Sequence, residues 1–322
     1  CLFLLFYLIF TERLKAGRHA WPFLVISAIF LACAGSIKWS GLFFIPSVAL
    51  FELYRAFADK SHPPLRLGHR LRSLIGVVCL YLVIFATIYL SAFAIHFSLL
   101  PLSGTGDAFM SPEFQKTLEG NMYAVDETRV PRRFFGKLFE LNGVMYSANK
   151  TLVIPHPYST KFYTWPLMQR GVYFWEEEHA TSSPTFGRIY LLGNPPVYWL
   201  STLAVAVMLC YAAALMIRRK AHHMKNERTA AFILGAYFSN LLPFMFIGRV
   251  MFLYHYEAAL VMSIIALAYL LDLIKNKKVR LTAVICLLVV CIITFVFFSP
   301  LTYGTPLSQD SFNARMWLKS WP

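Results

Sequence analysis

Apolar runs of about the twenty residues needed to cross a hydrocarbon core recur along this chain, and short basic segments punctuate them. That alternation restricts the fold more than any motif does. A segment in lipid has no water to satisfy its peptide groups, so the chain must cross as helices. Of the 322 residues 58% are hydrophobic and only 14% charged, where soluble domains carry about 25% charged residues. The expectation is an all-α integral membrane protein.

The basic clusters orient the spans. Arg13, Lys15 and Arg18 form the first, Arg55 to Arg72 the second, Arg218 to Arg228 the third and Lys275 to Arg280 the fourth. Basic loops stay in the cytoplasm. Residues 1–10 are then the tail of a span, followed by spans 21–37, 40–55 and 74–95, a long loop over about 99–197, and spans 198–217, 230–248, 255–274 and 281–299. All clusters fall on one side, which puts the loop and the C-terminus on the other. The expected regions are membrane helices in 1–98, an external loop region in 99–197, four membrane helices in 198–300 and an external tail in 301–322. The chain starts at Cys1 within an apolar run, with no charged leader, and reads as cut in mid-helix.

The net charge of +14 raises nucleic-acid binding. Its confinement to segments flanking spans, without a basic stripe interleaved with aromatics, argues against that partner. The six cysteines all lie in apolar segments and lack metal spacing, so they read as packing residues and no metal is expected. A P-loop and a GxGxxG are also absent, so no nucleotide cofactor is implied.

In the loop, Ser111-Pro112-Glu113 has the order of a helix start. Phe114, Leu118 and Met122 would then share one face of a surface helix. Pro131, Gly136 and Gly143 read as interruptions of the next stretch, and PHPYSTKFYTWP as irregular in its first half.

Several residues carry candidate chemistry. Lys38 in GSIKWSG sits between two apolar runs, where it is either a phosphate ligand or a snorkelling end residue. Arg249 and His255, with Tyr256, lie in GRVMFLYHYEAAL at the outer junction of two spans. They suit an oxyanion, or belong to an interfacial belt. His156, Tyr158, Ser159 and Trp165 combine flat aromatic faces with hydrogen-bonding groups, as a sugar pocket does or as a proline-stiffened loop packed on the membrane does. Asp107 is either a general base or the cap of the turn made by Gly104 and Gly106. The run Glu176 to Glu178 reads as solvated surface, and His222 and His223 as part of a basic loop. Asn149-Lys150-Thr151 is a glycosylation pattern that matters only in a glycosylating compartment. A transporter would place ionisable residues inside spans and break helices in pairs. Pro243 breaks one span without a counterpart, which disfavours transport.

Five stretches in order, GSIKWSGLFF, HFSLLPLSGTGDAFMSPEFQKTLEGN, PHPYSTKFYTWPLMQRGVYFW, YLLGNPPVYW and GRVMFLYHYEAALV, together resemble the polyprenyl/dolichyl-phosphate-mannose protein O-mannosyltransferases. The resemblance implies a polytopic glycosyltransferase C-type fold, with about eight spans here and one large external loop. It implies an inverting enzyme that moves mannose from a membrane lipid phosphate to Ser or Thr hydroxyls of secreted or membrane proteins, with no cofactor and a divalent ion left open. On this resemblance Lys38, Arg249 and His255 bind the donor phosphate, and Asp107, His156, Tyr158, Ser159 and Trp165 shape the pocket. A dimer is compatible with it. Transfer to a lipid or glycan instead of a protein is the alternative.

Two departures from the family pattern follow. Eukaryotic members insert a β-trefoil module in this loop, and roughly 100 residues leave no room for it at usual domain sizes. That points to a bacterial-type member in a plasma membrane, using a polyprenyl carrier. The family's acidic catalytic pair belongs to a first external loop upstream of Cys1, so the chain alone is expected to be inactive.

Overall fold

The computed structural model describes residues 1–57, 67–177, 185–217 and 227–322. The basic segments 55–72 and 218–228 therefore lie partly outside the described residues, and Glu178, His222 and His223 do so entirely. The chain forms two compact units, one of residues 1–42 and 52–153, the other of 43–51 and 154–322.

The first unit contains α1 (Leu2–Lys15), α2 (Trp21–Ile37), the end of α3 (Ile45–Phe57), α4 (Leu67–Leu99), the single turn α5 (Pro112–Gln115) and α6 (Phe134–Thr151). Its core is stitched by polar bonds between apolar helices. The Ser27 hydroxyl of α2 donates to the Phe3 carbonyl of α1 at 3.0 Å and lies 2.9 Å from the Tyr81 hydroxyl of α4. Tyr7 donates to Glu52 at 2.5 Å, both buried. A carboxylate is tolerated out of water only with such a donor. α1 runs to Lys15, into the segment 11–20 expected as a loop.

The second unit holds the strands and the last helices. β1 (Val172–Glu176) pairs antiparallel with β3 (Arg188–Leu191), and β2 (Thr185–Phe186) with β4 (Leu307–Ser308). Helices α7 (Pro195–Ile217), α8 (Glu227–Leu241), α9 (Glu257–Asp272), α10 (Lys277–Tyr303) and α11 (Gln309–Asn313) complete it. Small residues let α7, α8 and α9 approach closely: Ser201, Ser263, Ala236, Ala259 and Ala266 are fully buried, and Ser263 donates to Ser201 at 2.9 Å. The first half of α3 joins this unit, with the Ser47 and Ser239 hydroxyls 2.6 Å apart.

The protein is mostly helical. Among the described residues five helices are long and apolar enough to span a membrane, Leu74–Leu99, Pro195–Ala214, Thr229–Phe246, Leu253–Asp272 and Lys277–Tyr303, and the segments Trp21–Ile37 and Trp39–Leu53 are shorter apolar helices. The all-α expectation is corrected by the two strand pairs, where β-branched and aromatic residues of VYFWE and RIYL favour a pleated surface.

Two local expectations in the loop also fail. Ser111 does cap α5, its hydroxyl accepting from the Phe114 N–H at 3.3 Å. But α5 stops at Gln115 and Gly120 turns the chain at φ +79°, so Met122 is 78% exposed while Phe114 and Leu118 are buried. Gly136 and Gly143 do not interrupt anything, because α6 runs through both. A helix glycine costs only about 1 kcal/mol against alanine, which side-chain packing can outweigh.

Candidate functional site

The segment 155–170 is built by its prolines and its hydrogen bonds. Pro155 and Pro157 exclude a helix, and a turn forms instead, with the Ser159 N–H donating to the His156 carbonyl at 2.9 Å. The Tyr158 N–H donates to His156 Nδ1 at 3.2 Å, which fixes that imidazole over the turn. Thr160 then pairs out of the segment, its N–H donating to the Met251 carbonyl at 2.8 Å. A 3-10 turn, Phe162–Leu167, follows. Two carbonyls of that turn accept from the start of α7: Pro166 from the Thr202 hydroxyl at 2.7 Å and Leu167 from the Trp199 indole at 2.9 Å.

Trp165 is fully buried at the centre of this arrangement. Its indole N–H donates to the Thr160 hydroxyl at 2.8 Å. Its ring stacks on His255 (centroids 5.9 Å apart, 15° between planes) and takes Phe244 edge-on at 5.0 Å. His255 is buried in the turn Leu253–Tyr256, with Nδ1 3.1 Å from the Phe252 N–H, from which it accepts when that nitrogen is unprotonated. The Arg249 guanidinium donates to the Val250 carbonyl at 3.3 Å. α8 ends at Leu241, just before Pro243, and a 3-10 turn, Leu242–Phe246, leads the chain toward Arg249.

Above the turn, Tyr158 stacks on Tyr173 (5.9 Å, 23°) and meets Tyr190 at a steep angle (6.4 Å, 82°), with the Arg170 guanidinium 5.4 Å from its ring centre. Burial, and next the hydrogen bond with Tyr158, push the Tyr190 phenol up. Burial, and next the bond to Glu176, do the same to Tyr173. These phenols stay neutral donors through the physiological range. Glu176 also pairs with Arg188 at 3.0 Å, and Glu177 accepts from the Gly187 N–H at 3.0 Å, so these two acids hold the strands together.

His156, Tyr158, Trp165 and His255 are thus brought together, His156 through the edge of Phe252 (5.1 Å, 80°). His156 and Ser159 are exposed on the same turn. Lys38 and Asp107 belong to the first unit. Lys38 ends α2, exposed, its N–H bonded to the Ala34 carbonyl at 3.1 Å. Asp107 accepts from the Ser103 hydroxyl at 2.5 Å, the Asn121 amide at 2.7 Å and the Gly104 N–H at 3.1 Å. The Ser103 hydroxyl, ahead of the others, holds its carboxyl below the usual range. These are the bonds of a turn cap.

One contributor lay outside the sequence reading. The Trp321 indole, fully buried, donates to the Met168 carbonyl at 2.8 Å, and Ser320 donates to Gln169. Met168 stands in the left-handed region at φ 51° and closes the turn by donating to the Trp165 carbonyl at 2.9 Å. The C-terminal segment 317–321 therefore clamps the turn that carries Trp165. Its only sequence signal was a pair of tryptophans in a short polar tail.

Residues 134–321 match the family model described as the C-terminal four-span region of protein O-mannosyltransferase, and residues 1–101 match that of dolichyl-phosphate-mannose-protein mannosyltransferase. The chain belongs to the protein O-mannosyltransferase family. It is 30% identical over 204 residues to dolichyl-phosphate-mannose–protein mannosyltransferase 5 of Candida albicans, covering 58% of this chain and 28% of that protein. It is 29% identical over 206 residues to mannosyltransferase 1 of Saccharomyces cerevisiae (59% and 24%), and 30% over 216 residues to protein O-mannosyl-transferase 2 of Danio rerio (58% and 27%). The chain thus spans about a quarter of the length of these family members. The structure of the S. cerevisiae Pmt1–Pmt2 protein O-mannosyltransferase complex bound to the sugar donor superposes with a TM-score of 0.82 at 18% identity, over 94% of this chain and 70% of that one. At that identity the likeness establishes the fold.

Proposed function

We propose that the protein carrying this sequence transfers mannose, with inversion, from polyprenyl-phosphate-mannose to Ser or Thr hydroxyls of secreted or membrane proteins. The observation that carries this is the joining of the two motif stretches, Thr160 to Met251 by a backbone bond and Trp165 to His255 by ring stacking, inside a region that matches the family model. In this reading Lys38, Arg249 and His255 hold the donor phosphate. An arginine fork and an imidazole are suitable donors to a phosphate oxygen, and a lysine supplies a point charge. His156, Tyr158, Ser159 and Trp165 line the sugar and acceptor side, and Asp107 shapes the pocket by closing the loop 103–121.

The reading includes the glycosyltransferase C-type fold with about eight spans, divided at 98, 197 and 300. The loop over 99–197 and the tail 301–322 face outward and the basic loops face the cytoplasm. A loop without room for a β-trefoil supports a bacterial-type member in the plasma membrane, although the relatives named above are fungal and animal. The yeast complex is a pairing of two such proteins, and a dimer is proposed here on that likeness. Attack by an unactivated alcohol needs a positioned carboxylate. None of the residues named here supplies that base, so the 322 residues by themselves should transfer nothing.

The test follows radiolabelled mannose from polyprenyl-phosphate-mannose to a Ser/Thr-rich peptide, using membranes that contain the intact gene product, with and without Lys38→Ala. Peptide labelling that collapses in the variant supports the reading. Label appearing in a lipid or glycan but never in peptide sinks the protein-acceptor part, and transfer by the 322-residue chain alone sinks the expected inactivity.

A further inference from the structure

Lys38 stands in a turn that hydrogen bonds fix from two other helices of its own unit. Its backbone is extended (φ −152°, ψ 128°), its N–H donates to the Ala34 carbonyl at 3.1 Å, and its carbonyl accepts from the Gly41 N–H at 2.8 Å. An extended residue turns its side chain to the side opposite its neighbour's. Whatever holds Trp39 therefore also aims Lys38.

Trp39 is held by α4 and, through it, by α6. The indole N–H donates to the Tyr89 hydroxyl at 3.2 Å, and that hydroxyl donates to Asn142 Oδ1. A phenol can accept one proton while giving its own, so both bonds coexist. The Asn142 amide then donates to the Leu138 carbonyl at 2.8 Å, one turn back in α6, which settles that its oxygen faces Tyr89. The Tyr89 ring is itself fixed, stacked on Phe85 (5.4 Å, 26°) and packed on Phe93 at 4.9 Å. A directed chain of bonds thus runs from α6 across α4 to the residue beside Lys38.

We propose that Tyr89 and Asn142 are positioning residues of the donor site, setting through Trp39 the direction from which the Lys38 ammonium meets the donor phosphate. This rests on the assignment of Lys38 to that phosphate in the reading above. Neither residue lies in the five motif stretches, and the consequence is new: the helix α6 governs donor affinity.

The test measures competition of polyprenyl-phosphate-mannose against a photoreactive donor analogue, in membranes containing the intact gene product. It needs no acceptor, so it does not depend on what receives the mannose. Tyr89→Phe removes both bonds of the phenol and keeps its ring. It should raise the half-displacing donor concentration by about two- to tenfold, the range that one neutral hydrogen bond supports. Asn142→Leu should do the same, and Asn142→Asp, which keeps an oxygen toward the phenol, should lie nearer the parent protein. In a Lys38→Ala background none of the three should raise that concentration further, because residues acting through one another are not additive. A merely structural role would lower the maximum labelling and leave the half-displacing concentration where it was.

A parent-like half-displacing concentration in Tyr89→Phe, or an undiminished effect of Tyr89→Phe on top of Lys38→Ala, overturns the inference and leaves Lys38 a donor ligand, provided Lys38→Ala by itself weakens displacement. If Lys38→Ala changes nothing, the assignment of Lys38 fails and the inference falls with it. Absence of displaceable label in the parent protein refutes the donor reading itself, and this inference with it.

Discussion

Replacing Trp321 by phenylalanine removes one N–H and little volume, and so isolates the bond that closes the candidate site from below. The Met168 carbonyl would be left buried without its donor. Such an orphaned group costs about 1–3 kcal/mol. For a body of about 150–250 residues each kcal/mol is worth about 2–4 °C in Tm, so Trp321→Phe should lower the midpoint by about 4–8 °C if the cost is near 2 kcal/mol. Trp321→Ala also empties the space against Phe298 and Trp317, whose rings lie 5.9 and 6.5 Å away. Loss of a buried aromatic side chain costs about 3–5 kcal/mol, so the alanine variant should fall clearly below the phenylalanine one.

The assay is thermal unfolding of the intact protein in detergent, read by size-exclusion of the remaining monodisperse fraction. The difference in emission between proteins with and without Trp165→Phe, taken once with Trp321 present and once with Trp321→Phe, reports the local environment of Trp165. If the clamp positions Trp165, emission should shift to the red in Trp321→Phe at temperatures where the protein is still folded. A Trp321→Phe protein with wild-type midpoint and unchanged Trp165 emission would refute the reasoning, because the indole bond would then hold nothing.

Two further outcomes follow from the first unit. A Cβ at Gly41 would lie 2.7 Å from the Ala34 backbone carbonyl carbon and oxygen, which cannot step aside as a side chain could. Gly41→Ala should therefore cost about 1–3 kcal/mol as overpacking, displace the turn carrying Lys38, and weaken donor binding in a photolabelling competition. Asp107 has a folded-state pKa below its unfolded value. Its stabilisation of the loop 103–121 is present above the ordinary carboxylate range of about 3.9 and disappears as pH falls through the lower folded value. Proteolysis of this loop should hold steady from neutral pH down to that range and accelerate below it, and Asp107→Asn should flatten the profile.

What the chain declares on its own is whatever lipid imposes. Hydrocarbon forbids unpaired peptide groups and charges, so apolar stretches had to be helices, as α7 and α10 are, and Pro243 had to end the α helix before it. Local chemistry was equally readable where a few neighbouring atoms decide: Ser111 caps α5, and Asp107 closes the turn at Gly104. The motif stretches pointed to the right family for the same reason, since a resemblance is a local property of the sequence.

Outcomes decided by distant partners were not legible. Whether Gly136 and Gly143 break a helix depends on bonds such as those of Glu140 and Asn142, made to residues far away in the chain. The strand β1 needed β3, and β2 needed β4 from beyond α10. Above all, the stacking of Trp165 on His255 and the clamp from Trp321 join segments separated by whole membrane helices. Composition says that these aromatics want burial, and only the packed tertiary structure decides against what.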